Sequence, residues 1–232
     1  DFEAADLLRF RTKHNLGDEP VVGIICRLAA EKGVEVLLKA LPIVREAFPN
    51  VRVLHAGQYE NIIGEEAYAA RLAPLFDQYQ DHYHLLGNIE GAELSAFYNS
   101  LDCLCVPSLN STESFGLVQI EAMQNGVPVA ACALPGVRQP VTMTGMGEVT
   151  AVSDHVALAE GIVKILGDKA RYQRDRQLIK ATFAPDTTAQ AYLQLFAKLQ
   201  QGKLVGKTAE PEAYQRLRSM RDKFDQANST GK

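Results

Sequence analysis

The chain has 232 residues, of which 47% are hydrophobic and 22% are charged, a balance typical of a globular protein with a sizeable core. Its net charge of −4 and pI near 5.8 give no general attraction to nucleic acid, which we therefore do not expect as a partner. No stretch approaches the ~20 apolar residues of a membrane span, and residues 1–6 (DFEAAD) do not resemble a signal peptide, so we expect a cytoplasmic protein.

Apolar runs of strand length alternate with amphipathic helical segments along the chain. Residues 1–19 are polar and lean toward helix, and residues 21–26 (VVGIIC) form the first apolar run. Because this run has no polar alternation, it predicts a strand buried on both faces, as in a parallel sheet. By the same criteria we expect strands at residues 51–56, 82–86, 101–106, 128–132 and 148–152, and helices at residues 34–48, 65–80, 92–100, 114–125 and 154–166.

This alternation predicts an α/β fold with a doubly wound, Rossmann-like parallel sheet, which binds ligands at the carboxyl ends of its strands. We place the domain at residues 20–200, with residues 1–19 leading into it and added helices at 169–183 and 187–199. Residues 201–232 form a charged tail with one helix at 211–227, which we expect to be solvated or docked on a partner.

The four cysteines, Cys26, Cys103, Cys105 and Cys132, all lie in apolar runs of strand length. Their spacing does not match the paired spacing of a zinc site. We therefore interpret them as reduced core residues rather than as metal ligands or redox groups.

Two cations follow the first strand, where a parallel sheet binds its ligands. The loop at residues 27–33 (RLAAEKG) has too few glycines for a dinucleotide fingerprint or a P-loop. Arg27 and Lys32 instead suit a diphosphate, because a guanidinium binds oxygens in a bidentate way and an ammonium adds a point charge. The alternative is that both are surface charges without a ligand.

Two carboxylates, Glu113 and Glu121, flank the start of the predicted helix at residues 114–125. We expect Glu113 at the helix entrance and Glu121 about two turns inside it, with the free amides of residues 115–117 facing an anion or sugar oxygens. Because Glu121 has apolar neighbours, its carboxylate requires hydrogen-bond donors from the protein or from ligand hydroxyls. The alternatives are a helix-dipole partner for Glu113 and a solvated side chain for Glu121.

Several motifs in order resemble one enzyme family. They are residues 23–33 (GIICRLAAEKG), 87–89 (GNI), 107–108 (PS), 113–123 (ESFGLVQIEAM) and 126–129 (GVPV). Over about residues 20–200 the chain is similar to the retaining nucleotide-sugar glycosyltransferases of the group 1 type. That family has the GT-B fold, two facing Rossmann-like domains with the active site between them. The resemblance places this chain in the carboxyl-terminal, donor-binding domain.

The resemblance implies a role for each residue singled out above. Arg27 and Lys32 would hold the donor diphosphate and stabilise the departing charge, and Glu113 would contact the donor sugar near its reacting end, so these three are the expected catalytic residues. Glu121 would accept hydrogen bonds from the ribose hydroxyls. The other expected donor-binding residues are Asn88 and Ile89 at the nucleobase, and Ser114, Phe115, Gly116 and Leu117 at the sugar or phosphates. No Asp-x-Asp triplet is present, so neither a metal nor a cofactor is expected.

The chain departs from the family pattern in three respects. Cys26 stands where glycine commonly precedes the arginine. Residues 135–140 (PGVRQP) keep Gly136 of a glycine pair and place Gln139 or Pro140 where an acid is common. The first residue is not methionine, and we expect a fragment or processed product whose amino-terminal domain lies outside these 232 residues.

The leading functional prediction is the donor-binding domain of a retaining, metal-independent hexosyltransferase that is incomplete for catalysis alone. Its partners would be a nucleotide-sugar donor and, through the absent domain, a glycan, lipid-linked or small-molecule acceptor. Peripheral membrane contact of the full-length protein is left open, as are the nucleobase and the sugar. Half of a nucleotide-sugar epimerase and a non-catalytic nucleotide-sugar-binding module are the alternatives.

Overall fold

A computed structural model of the chain describes residues 3–202 and 212–229. Its strands form a six-stranded sheet in which all neighbouring strands are parallel, in the order β3-β2-β1-β4-β5-β6. The strands are β1 (Val21–Ile25), β2 (Arg52–Ala56), β3 (Tyr83–Gly87), β4 (Cys103–Val106), β5 (Val129–Cys132) and β6 (Gly147–Thr150). The doubly wound parallel sheet expected from the sequence is therefore confirmed, and each strand lies within two residues of its predicted bounds.

Helices connect the strands and follow the last one. They are α1 (Ala4–Lys13), α2 (Val34–Ala47), α3 (Glu66–Gln78), α4 (Gly91–Ser100), α5 (Leu117–Gln124), α6 (Gln139–Thr144), α7 (His155–Gly167), α8 (Arg176–Thr182), α9 (Pro185–Gln200) and α10 (Glu212–Ser229). The short helix α6 was not expected from the sequence. The helix predicted at residues 169–183 is interrupted: a 3₁₀ turn at Lys169–Tyr172 precedes α8.

Alternate residues of the central strands enter two separate hydrophobic clusters. Val22, Cys103 and Cys105 lie in the cluster on one face of the sheet, whereas Val21 and Leu104 lie in the cluster on the other. All five are nearly inaccessible to solvent. This two-sided burial explains why the strands are apolar throughout, since both faces of a doubly wound sheet are covered by helices.

Each face of the sheet is covered by helices that bury one apolar stripe. On the first face α2 packs against α7, with Leu37, Leu41 and Ile162 fully buried. On the second face α4 and α5 supply Phe97 and Met123. Full burial of one such side chain contributes about 1.5–3 kcal/mol, so the two clusters supply most of the driving force for folding.

The tail helix α10 packs against α6 and α8 of its own chain. Leu217 is buried in the second cluster, and the Arg221 guanidinium donates to the Thr142 carbonyl oxygen at 2.6 Å. The expectation of a solvated or partner-docked helix is thus wrong for this face of α10, because it contributes an apolar residue to the core. Residues 203–211 and 230–232 of the predicted tail lie outside the described residues.

Candidate functional site

The strand order reverses direction between β1 and β4, which leaves a crevice at the carboxyl ends of these two strands. A cavity of about 340 Å³ occupies this position. Its lining comes from three segments: the end of β1 with its loop, the end of β4 with its loop, and the start of α5. These residues are Ile24, Ile25, Cys26, Arg27, Lys32, Cys105, Val106, Pro107, Ser108, Glu113, Gly116, Leu117 and Val118.

A larger cavity, of about 720 Å³, lies at the opposite ends of the strands. It is lined by residues just before β1 and β2, such as Pro20 and Asn50, and therefore sits at the amino ends of the strands. Doubly wound sheets bind ligands at the carboxyl ends. The smaller cavity is accordingly the candidate site.

The loop after β1 is held tightly against the loop after β4. Gly33 has a φ of +71°, and a Cβ atom built there would lie 2.0 Å from the Pro107 carbonyl oxygen. The Leu109 amide also donates to the Glu31 carbonyl oxygen at 2.8 Å. Only glycine satisfies both the left-handed backbone and this close approach. The contact carries Lys32 to the side of the crevice formed by β4.

Lys32 and Glu113 form an ion pair in the cavity, with Lys32 Nζ 2.7 Å from Glu113 Oε2. Their side chains are 23% and 21% exposed, so the pair is partly shielded from water. The resemblance assigned the two side chains separate roles, Lys32 at the diphosphate and Glu113 at the donor sugar. The structure instead joins them directly, because the loops that carry them are in contact.

Arg27 lies at the mouth of the same cavity and pairs with Glu31, one helical turn further along the loop. Its side chain is 51% exposed. A surface ion pair of this kind contributes at most about 1 kcal/mol, so it leaves the guanidinium able to turn toward an incoming anion.

Helix α5 begins at Leu117, three residues later than expected near Ser114. Gly116 occupies the N-cap position with a φ of +75°. Its carbonyl oxygen accepts a hydrogen bond from the backbone amide of Gln119 at 2.9 Å. The first helical amides are therefore those of Leu117 and Val118, both in the cavity lining, rather than that of Phe115. Glu113 accordingly lies in the loop before the helix and not at its entrance.

Glu121 is exposed on α5, about one turn inside the helix, and does not line the cavity. Its Oε2 accepts a hydrogen bond from the Tyr98 hydroxyl of α4 at 2.5 Å. Burial and this acidic partner raise the pKa of Tyr98 well above its usual value. The donor that Glu121 was expected to require thus comes from the protein, although the side chain leaves the helix on the solvent side.

The remaining predicted donor-binding residues are not part of the cavity lining. Asn88 and Ser114 are exposed, and Ile89 and Phe115 are half-buried against the second hydrophobic cluster. Asn88 and Ile89 follow β3, which is an edge strand two positions away from β1. The structure thus brings together at the cavity Arg27, Lys32, Glu113, Gly116 and Leu117, and the other five predicted residues do not line it.

A buried hydrogen-bond chain beneath the cavity was not expected from the sequence. His55 on β2 is inaccessible to solvent; its Nε2 lies 3.0 Å from the Cys26 carbonyl oxygen and its Nδ1 lies 3.0 Å from the Tyr83 hydroxyl. A carbonyl oxygen only accepts, so Nε2 carries the proton and the Tyr83 hydroxyl donates to Nδ1. Burial lowers the pKa of His55 to about 4 and raises that of the Cys26 thiol to about 12.

Within residues 3–202 and 212–229, no three His, Cys, Asp or Glu side chains lie close enough to hold a metal ion together. All four cysteines are free thiols. In the same part of the chain, no helix combines the length and the apolar character needed to cross a bilayer.

Fold and site together define a doubly wound, Rossmann-like α/β domain, with a crevice at the switch point and cations beside a helix amino terminus. Residues 8–183 match the family described as "Glycosyl transferases group 1". The chain therefore belongs to this glycosyltransferase family, as its motifs indicated.

Two relatives show the range of this similarity. The chain is 34% identical to the phosphatidyl-myo-inositol mannosyltransferase of Mycobacterium leprae over 143 residues, which covers 62% of this chain and 36% of that protein. It is 30% identical to the structure of sucrose-phosphate synthase from Thermosynechococcus elongatus, with a TM-score of 0.69, covering 87% of this chain and 50% of the other.

A third similarity concerns the fold alone. The structure of HepE from Anabaena in complex with UDP and glucose superimposes with a TM-score of 0.71 at 21% identity, covering 84% of this chain and 53% of the other. The chain thus spans about half the length of the GT-B glycosyltransferases that it matches in structure. The GT-B affiliation predicted from the motifs is confirmed.

Proposed function

We propose that this chain is the donor-binding domain of a glycosyltransferase that moves a sugar from a nucleoside diphosphate sugar to an acceptor hydroxyl with retention of configuration. The observation that carries the proposal is the switch-point cavity, where Arg27, Lys32, Glu113 and the first amides of α5 converge. The described UDP and glucose complex of a structural neighbour supports the choice of ligand class.

Each group at the cavity has a chemical task under this proposal. The Lys32 ammonium and the Arg27 guanidinium bind the diphosphate and stabilise the negative charge that develops on it as the glycosidic bond breaks. The Leu117 and Val118 amides add two donors at the positive end of α5. These donors carry the charge stabilisation that a metal supplies in other enzymes, so we propose a metal-independent transfer.

Glu113 is placed to contact the donor sugar rather than the phosphates. Its carboxylate pairs with the Lys32 ammonium at 2.7 Å. When a diphosphate takes over the ammonium, Glu113 is released to accept hydrogen bonds from sugar hydroxyls. Glu121 can exchange its Tyr98 partner for ribose hydroxyls in the same way, with the main chain of Asn88 and Ile89 beside the base.

The acceptor site is proposed to belong to a second domain that faces this edge of the sheet. The acceptor would be a glycan, a lipid-linked sugar or a small molecule. This division of labour leads us to expect that the chain binds nucleotides by itself but transfers sugar slowly or not at all.

Calorimetric titration of the chain with UDP, GDP and ADP, and then with their sugars, tests the proposal. We expect saturable heat with one nucleoside diphosphate and tighter binding of the matching sugar nucleotide. A folded sample that gives no heat with any of these ligands would contradict the proposal. Titration in the presence of EDTA tests the metal-independent part, since chelation is expected to leave the affinity unchanged.

A further inference from the structure

Gln119 is a buried polar residue on α5 whose side chain connects two loops at the candidate site. Its residue is fully inaccessible to solvent. Its Nε2 donates to the carbonyl oxygen of Phe115 and to that of Val137, both at 2.9 Å. Because both neighbours only accept, the amide group must face them with its NH₂ end.

The two loops also touch through their backbones. The first is the segment 113–118, which holds Glu113 and leads into α5, and the second is the turn at residues 133–138 after β5. A Cβ atom built on Gly136 would lie 1.7 Å from the Ser114 carbonyl oxygen, so the turn packs directly on the segment. A Cβ built on Gly116 would lie 2.7 Å from Gln119 Nε2. The Gln119 carboxamide therefore occupies the space that Gly116 leaves, and the Ser114 carbonyl occupies the space at Gly136.

The other polar atom of the Gln119 carboxamide, Oε1, is in an unfavourable environment. Gln119 Oε1 is buried and has no hydrogen-bond partner among the described residues. An unsatisfied buried acceptor destabilises a fold, and an apolar side chain of similar size would avoid that penalty. The amide at this position is thus better explained by the two bonds that its NH₂ group makes than by packing.

We propose that Gln119 is a positioning residue that fixes segment 113–118 against the turn at 133–138, and so sets the direction of the Leu117 and Val118 amides at the cavity. The inference rests on the proposed function for its catalytic meaning, since it assigns those amides to the donor diphosphate. It adds a residue that touches no ligand and acts through the two loops it joins. Gln119 stands at the third helical position of α5, from which a glutamine side chain can reach back over the helix start.

The first test measures the loop contact in the absence of a ligand. Hydrogen–deuterium exchange is measured at the backbone amides of residues 119, 138 and 139, which donate to carbonyl oxygens within the two loops. It is compared in the unaltered chain, in Gln119→Leu and in Ile162→Val, a core variant of α7 on the opposite face of the sheet. We expect exchange at these amides to accelerate at least fivefold in Gln119→Leu and to stay unchanged in Ile162→Val. Unchanged exchange in Gln119→Leu, or equal acceleration in both variants, would overturn the inference.

The second test measures the consequence for binding. Affinity for the nucleoside diphosphate that the unaltered chain binds is expected to fall at least fivefold in Gln119→Leu at a temperature where thermal melting shows all variants folded. Gly136→Ala disturbs the same contact, so the losses in the double variant are expected to be less than additive. A wild-type affinity in Gln119→Leu, or fully additive losses, would contradict the positioning role. Absence of binding by the unaltered chain would instead refute the proposed function, while the exchange experiment still decides the loop contact.

Discussion

The loops after β1, β3 and β4 all lie at the carboxyl ends of the strands, but they differ in their contacts with neighbouring loops. The first two are joined by the backbone contact of Gly33 with Pro107 and by the Lys32–Glu113 ion pair. The third carries exposed Asn88 at the edge of the sheet. Strand order therefore decides which loops meet at the crevice, since β1 and β4 are neighbours at the switch point whereas β3 lies at the edge of the sheet.

The largest loss of stability is expected where the loops after β1 and β4 meet. Gly33→Ala places a methyl group 2.0 Å from the Pro107 carbonyl oxygen in a left-handed backbone, and we expect the free energy of unfolding to fall by about 4 kcal/mol. Gly64→Ala is the matched control, because Gly64 also has a positive φ of +86° but no atom within 4 Å of the new methyl group. It should cost about 1–2 kcal/mol, the left-handed strain alone. Denaturant unfolding measures both, and equal losses would show that the loop contact is unimportant.

The next effect concerns His55, which holds the Cys26 carbonyl under the first loop. Its pKa is lowered to about 4 in the fold, whereas an unfolded histidine titrates near 6.5. As the pH falls, the unfolded state therefore takes up a proton before the folded state does. The contribution of neutral His55 to the free energy of unfolding is complete above pH 6.5 and is lost between about pH 6.5 and pH 4.

We expect this loss to reach about 3 kcal/mol in the unaltered chain. The measurement is the free energy of unfolding by urea at several pH values, in this chain and in His55→Gln, which keeps a donor but does not titrate in this range. The decline in His55→Gln should be smaller by that amount. Parallel pH profiles for the two proteins would contradict the assignment of a neutral, buried His55.

A smaller effect, on ligand affinity, is expected for Lys32 in the cavity. Lys32→Met removes a charge-assisted hydrogen bond to the proposed diphosphate, and the dissociation constant should rise by about tenfold or more. Lys164→Met makes the same change at an exposed position of α7 outside the cavity, and it should leave the affinity within about twofold. Calorimetry with the bound nucleoside diphosphate compares the two, and equal losses would point to a general charge effect.

The smallest effect is expected at the loosely held loop. Asn88→Ala removes a side chain that is exposed and lies outside the cavity lining, so the affinity should change by less than about threefold, under 1 kcal/mol. A loss comparable to that of Lys32→Met would show that the loop after β3 closes over the ligand with its side chains. The same calorimetric titration provides the measurement.

The sequence was sufficient for the fold because two-sided burial leaves an unmistakable pattern. Runs such as 21–26 and 101–106 have no polar alternation, and a parallel sheet is the structure that requires this. The motifs placed Arg27, Lys32 and Glu113 at one end of that sheet, and the cavity contains all three.

The details of the site depend on contacts between distant residues, which no local pattern encodes. Lys32 and Glu113 are 81 positions apart, and their pairing follows from the backbone contact at Gly33. The role of His55 could not be predicted from its own strand, since its partners come from the end of β1 and from β3. The predicted helix at residues 114–125 began near Ser114, but the left-handed Gly116 delays the start of α5 to Leu117.

The contact between Tyr98 and Glu121 gives this protein a built-in optical signal. The chain has eight tyrosines and no tryptophan, so its ultraviolet emission comes from phenols alone. A phenol that donates to a carboxylate, as Tyr98 does at 2.5 Å, emits weakly because the excited phenol transfers its proton to the carboxylate. A sugar nucleotide whose ribose took over the Glu121 oxygen would release that phenol, and the rise in emission would report occupancy without any label.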